Sequence, residues 1–293
     1  MIDRSATVDL PLGPIGYRTF GPESPSRPVV FTHGALHNGE LWSGVAELLA
    51  GRGITSYVPE WPMGAHRIPA RAGVEISPHS IAVSLLAFLE ELHLEDVTLV
   101  GGVDGGPISQ MAIDIDPRRV GRLTLTNSPA FDQFPPAPLN FLIAALANPT
   151  RLRVAMTPLR AGWLRRSPLG FGLLANCIDD ELSRGWIQPL LHDRRVRRDT
   201  ARFLASVDPA QLLDVSTRLA RFDKPVRLVW GTADPFYKLE LARRLAGAFP
   251  DGEVVEVPGG RTFVALDAPD VLANEIESIG TLAKSLQRAV PTR

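Results

Sequence analysis

The chain has 293 residues, a formal net charge of −1 and a single cysteine, Cys177. That length can bury a large core. The near-neutral charge gives no overall field for nucleic acid or an acidic membrane, and one cysteine excludes an intrachain disulfide and a cysteine-built metal cage. The opening residues lack an apolar run, so no signal peptide is expected. No apolar run approaches the ~20 residues of a membrane span, and a reducing, cytoplasmic setting follows as the expectation.

Residues 28–32 read as a short apolar strand ending in His33 and Gly34. Residues 41–50 carry Trp42, Val45, Leu48 and Leu49 at helical spacing, closed by Gly51 and Gly53. A strand is expected over 54–58, stopped by Pro59, then an amphipathic helix over 80–92 and a buried strand over 97–100. A helix over 107–113 and a strand over 122–126 follow. Strands separated by helices predict an α/β fold, with a mostly parallel central sheet flanked by helices. From 131 to 215 the alternation stops. That stretch has proline-rich turns (Pro135, Pro136, Pro138) and helical pieces rich in Leu, Ala and Arg. Strand signals return at 226–230 and 254–257. The expected organisation is a core of 1–130 and 216–293, with a helical cap at 131–215 over the carboxyl edge of the sheet, where ligands bind in such folds. The arginines of the cap (Arg194, Arg195, Arg197, Arg198) read as a solvated helix face.

The chemistry-bearing motif is Gly102-Val103-Asp104-Gly105-Gly106 between the strand at 97–100 and the following helix. It fits G-x-Nuc-x-G, the strained strand-to-helix turn called the nucleophile elbow, with Asp where Ser usually stands. The alternative is a plain turn, since glycine-rich turns are common and Asp tolerates left-handed backbone. Neither G-x-G-x-x-G nor G-x-x-x-x-G-K-[ST] occurs, so a nucleotide-phosphate loop is not expected.

Four further segments, in order, resemble the α/β-hydrolase superfamily: His33-Gly34; Val58-Pro59-Glu60-Trp61-Pro62-Met63-Gly64; Leu228 to Asp234; and Val257 to Val264 followed by Asp267-Ala268-Pro269. An Asp elbow resembles the haloalkane dehalogenase and epoxide hydrolase branch. The resemblance implies Asp104 as nucleophile and Asp234 as the acid that orients a histidine. It also implies an oxyanion hole from the N–H groups of Ala35 and Gly105. No metal or organic cofactor is implied. The chain departs from the pattern at three places. Thr262 stands where the catalytic histidine is expected. Gly105 follows Asp104 where the dehalogenases place a halide-binding Trp, and Ala35 stands where they commonly place Asn. No tyrosine falls in the cap, so the ring-protonating acids of epoxide hydrolases have no counterpart there. A Thr hydroxyl is a very weak base. His37 and His66 are therefore candidates for a relocated base or for pocket residues, with a surface or capping histidine as the simpler reading of each; His33 reads as a structural hydrogen-bonder.

The expectation is a hydrolase-like protein acting through Asp104 on a small, mostly apolar molecule, as a monomer or homodimer without nucleic-acid or membrane partners. The alternatives are a catalytically reduced ligand-binding homologue, or a lyase or isomerase that uses Asp104 for proton transfer.

Overall fold

The computed structural model describes residues 3–23, 27–134 and 139–289. The expected turn prolines Pro135, Pro136 and Pro138 lie outside them. Eight strands form one sheet in the order β1-β2-β4-β3-β5-β6-β7-β8. They are β1 (Asp3–Leu10), β2 (Gly13–Phe20), β3 (Val29–Thr32), β4 (Ser56–Pro59), β5 (Val97–Gly101), β6 (Val120–Thr126), β7 (Val226–Gly231) and β8 (Gly252–Val257). From β4 to β8 every neighbouring pair is parallel, and β1 and β2 add an antiparallel edge.

The β1–β2 hairpin is absent from the periodicity reading for a physical reason. Most of β1 is exposed, so it shows no apolar alternation, and β2 contains Gly13, Pro14 and Gly16, which weaken any strand signal. The central strands β3 and β5 are buried along their whole length, as near-continuous apolar runs in a parallel sheet should be.

Helices α1 (Ser43–Gly51), α2 (Pro78–Glu91) and α3 (Gly105–Ile115) connect the first strands. Ser77 and Ser80 cap α2 reciprocally, with Pro78 at its first position. Between β6 and β7 the described residues form α4 (Leu139–Leu146), α5 (Pro149–Met156), α6 (Gly162–Arg165), α7 (Asp180–His192), α8 (Arg194–Ala205) and α9 (Pro209–Ser216). The chain closes with α10 (Leu239–Ala246), α11 (Val264–Asp267) and α12 (Pro269–Ala289). Trp186 of α7 packs against Phe171, His37 and Phe263, so aromatic contacts join the inserted helices to the loops above the sheet. No helix among the described residues is long and apolar enough to cross a membrane.

Candidate active site

The parallel strands all point their carboxyl ends at one edge, and the loops leaving them carry the candidate side chains. The loop after β3 brings Ala35 and His37, the turn after β5 brings Val103 and Asp104, and the loop after β7 brings Asp234 and Tyr237. The loop after β8 brings Thr262 and Phe263. With Leu142, Leu146, Met156, Leu159, Leu169 and Phe171 from the inserted stretch, most of these residues line a cavity of about 380 Å³ with a mainly apolar wall. That size suits a small organic molecule.

The turn after β5 is strained one residue earlier than the glycine pattern suggests. Val103, not Asp104, has positive φ, at 52°. Asp104 has helical backbone, φ −66° and ψ −18°, and is the N-cap position of α3. The sequence holds two overlapping G-x-Nuc-x-G frames, Gly101-x-Val103-x-Gly105 and Gly102-x-Asp104-x-Gly106. Glycine at 101 and 105 is required by close approach: a Cβ on Gly105 would meet the Thr32 carbonyl, and one on Gly101 would meet the Gly105 backbone. A β-branched residue at positive φ is a backbone outlier. Here it is held by Val103 N–H donating to the Asn127 carbonyl at 3.0 Å, while the Val103 carbonyl accepts from Gly106 N–H at 3.0 Å.

The register changes the hydrogen-bond assignments. Gly105 N–H, expected in an oxyanion hole, donates to the Gly102 carbonyl at 2.9 Å and is used up within the turn. Ala35 N–H is directed at the site, but its acceptor is the Asp104 carboxylate, at 2.7 Å to Oδ2. The Asp104 backbone N–H lies beside its own carboxyl and favours its charge without forming a hydrogen bond to it. The backbone donor directed at the site is thus taken by a side chain of the protein itself. Burial pushes the Asp104 carboxyl above its usual range, and the Ala35 N–H bond and the nearby Asp104 N–H only partly oppose that.

Asp234 is buried and well held. Oδ2 accepts from Asn127 Nδ2 at 2.8 Å, and Oδ1 accepts from the N–H groups of Phe236 at 2.7 Å and Tyr237 at 3.1 Å. Burial raises its pKa, against these bonds. The Thr262 hydroxyl stands near enough to favour the Asp234 charge, yet it is not aligned for a hydrogen bond and is buried without a partner. Asn127 also ties the site to the sheet, accepting from Gly231 N–H at 2.7 Å and donating to the Gly231 carbonyl at 3.0 Å. Tyr237 is buried at the cavity wall; burial, then the charges of Asp104 and Asp234, raise its pKa well above the ordinary phenol value.

The two candidate bases part company. His37 lines the cavity, but Nε2 accepts from Gly34 N–H at 3.2 Å and Nδ1 faces the Asn38 carbonyl at 3.5 Å. Both nitrogens are therefore engaged, and burial lowers its pKa to about 4. His66 is buried away from this cavity, with Nε2 at 3.7 Å from Asp199 of α8. His33 bridges the Gly34 carbonyl at 2.8 Å and Trp61 N–H at 2.9 Å, a structural role, and burial lowers its pKa to about 3. Val103, Asn127 and Tyr237 were missed by sequence reasoning. The overlapping glycine frame was the available signal for Val103; the other two carry none without the fold.

Residues 27–269 match the family described as alpha/beta hydrolase fold. Haloalkane dehalogenase 2 of Mycobacterium bovis is 28% identical over 269 residues, covering 87% of this chain and 88% of that protein. The 2-hydroxy-6-oxononadienedioate/2-hydroxy-6-oxononatrienedioate hydrolase of Paraburkholderia xenovorans is 27% identical over 180 residues, covering 59% of this chain and 58% of that one. Among solved structures, an alpha/beta hydrolase fold protein from Burkholderia ambifaria superposes with a TM-score of 0.77 at 22% identity, over 95% of this chain and 98% of that chain. The epoxide hydrolase CorEH does so with a TM-score of 0.78 at 15% identity, over 96% and 100%. With the sheet order, the strained turn after β5 and a family match over most of its length, the chain belongs to the α/β-hydrolase fold family.

Proposed function

We propose that this protein is a ligand-binding member of its family that takes up a small, mostly apolar molecule and anchors it by one hydrogen-bond donor on the Asp104 carboxylate. One observation carries the reading: the Asp104 carboxylate itself takes up the Ala35 N–H, the donor directed into the apolar cavity. Covalent hydrolysis needs a nucleophile at the strained apex, a base beside it and free donors for the developing oxyanion. Val103 supplies no nucleophile, Thr262 no base, and the Ala35 donor already has an acceptor. What faces a ligand is a carboxylate with lone pairs to spare, which suits an alcohol or amine and repels an acid.

A second reading, proton transfer by Asp104, is favoured by the burial that raises its pKa, because an acid–base group works best with a pKa near the working pH.

The test has two arms. The protein is exposed to 1-chlorohexane, 1,2-epoxyhexane and p-nitrophenyl butyrate, and its intact mass and the products are measured; no adduct and no turnover are expected. An adduct present on the parent and absent from Asp104→Asn would overturn the reading and make Asp104 the nucleophile. In the second arm 1-octanol and octylamine raise the melting temperature and octanoate does not, and Asp104→Asn loses that discrimination.

A further inference from the structure

The mouth of the cavity has its own composition. Leu142 and Leu169 line the cavity, yet they are 53% and 83% exposed, so they form its rim on the outer surface. On the same run of successively packed helices Phe141 of α4 is 81% exposed, Val154 of α5 67% and Trp163 of α6 73%. Large apolar side chains gathered on one outer region of a folded protein mark a contact surface. The sequence of this region is one-sided in charge. Residues 139–170 contain Arg151, Arg153, Arg160, Arg165 and Arg166 and no Asp or Glu, a local charge of +5 inside a chain of net −1. Arg165 is buried, and it and Arg166 face Asp180. Arg151, Arg153 and Arg160 are exposed and have no ion pair among the described residues. On α5, Leu152 and Met156 are the buried face, so Val154 projects on the opposite side with Arg151 and Arg153 flanking it.

We infer that this rim docks on an anionic lipid surface, so that the cavity opens toward the bilayer and its apolar ligand enters from the lipid. Exposed apolar side chains interspersed with unpaired arginines are the composition of an interfacial, non-spanning membrane contact. Charge complementarity selects the lipid over a second copy of the chain: two such rims would bring unpaired arginines face to face. The inference rests on the proposed ligand cavity for its purpose, but the docking itself is measured separately.

Trp163 is a built-in reporter, because Trp42, Trp61, Trp186 and Trp230 are all buried. The full chain is mixed with vesicles of phosphatidylcholine alone, or with 30% phosphatidylglycerol, and followed by co-sedimentation and tryptophan emission. The anionic vesicles should bind the protein, shift its emission to the blue and release it as salt is raised. Arg151→Gln/Arg153→Gln/Arg160→Gln should weaken partitioning about a hundredfold, from roughly fivefold for each arginine near an anionic surface. Phe141→Ser/Val154→Ser should lose the emission shift while keeping the octanol response, since neither residue lines the cavity. No binding to either vesicle, or binding indifferent to phosphatidylglycerol, overturns the inference. So does a solution dimer dissolved by Phe141→Ser with no emission shift, which would assign the face to a second copy. Docking without any octanol or octylamine response would instead overturn the proposed ligand cavity and leave the surface standing.

Discussion

Val103 keeps a β-branched side chain where φ is 52°, a conformation that costs about 1–3 kcal/mol and persists only when its surroundings hold it. Its neighbour Asp104 keeps a carboxyl in surroundings that raise its pKa. The sign of that second effect is testable. A carboxyl whose folded pKa lies above its unfolded value destabilises the fold once both states are ionised, and the loss is recovered as pH falls through the folded pKa to below the unfolded one. Asp104→Asn retains an oxygen for Ala35 N–H and removes the buried charge. It should therefore be more stable than the parent at pH 7, by urea denaturation, with the advantage shrinking toward pH 4. A variant less stable at pH 7 would show that the ionised carboxylate is a structural requirement of the turn. The strained apex gives a second test. If 103 is the reactive position of the fold, Val103→Ser/Asp104→Ala/Thr262→His assembles Ser, His and the existing Asp234 and frees the Ala35 N–H. It should hydrolyse p-nitrophenyl butyrate at least about tenfold faster than the parent, whereas Asp104→Ser/Thr262→His should not. The reverse result would put the reactive position at 104. The glycines alone could not decide this, because Gly101, Gly102, Gly105 and Gly106 satisfy both frames and only the backbone angle separates them.

Elements with one buried face and a clear stop are legible in the amino-acid sequence alone. The helix expected over 80–92 is α2, and the strands expected at 97–100 and 226–230 are β5 and β7. The stretch from 131 to 215 could be read as helical, but not how its helices hold together, because the decisive contacts join residues far apart. Arg165 is the example. From sequence it is one of many arginines, yet its guanidinium is buried. It donates to the carbonyls of Leu159 at 2.8 Å, Arg160 at 3.3 Å and Asp180 at 3.1 Å, and to Ser183 Oγ at 2.9 Å. One side chain thus ties α6 to the turn before it and to the start of α7. Hydrogen bonds from a charged donor contribute more than neutral ones, and carbonyls left buried without a donor cost further. Arg165→Met should loosen this part of the cavity wall before the sheet responds. Limited trypsin digestion should cleave between residues 150 and 185 about tenfold faster, with β-sheet ellipticity unchanged. Uniform acceleration across the chain would mean that the inserted helices and the sheet unfold as one unit.

At the scale of the whole molecule, the histidines set how the fold responds to acid. His33 and His37 are held neutral by burial, with pKa values lowered to about 3 and about 4, against about 6.5 in an unfolded chain. Between pH 4 and 6.5 the unfolded state therefore binds the more protons, and stability falls as the pH is lowered through that window. In the middle of that window each histidine contributes a slope of up to about 1.4 kcal/mol per pH unit, so the pair gives at most about 2.7. Carboxylates lowered by arginine partners, such as Asp3 beside Arg18 and Asp116 beside Arg118, act in a different window. They lose their contribution only as pH falls below the ordinary carboxyl range. Asp104, Asp234 and Glu60, raised by burial, take up protons earlier in the folded state and oppose the loss. Measuring urea stability at pH 4.5, 5.5 and 6.5 thus reports chiefly on the two histidines at its upper end. His37→Gln keeps an acceptor for Gly34 N–H and cannot be protonated. It should remove about half of the slope between pH 5.5 and 6.5, about 1 kcal/mol per pH unit there because the unfolded histidine is only partly protonated. An unchanged slope would mean that His37 does protonate inside the fold, and with it that Nε2 is free to turn from Gly34 toward the cavity, which would return this histidine to the groups able to act on a ligand at Asp104.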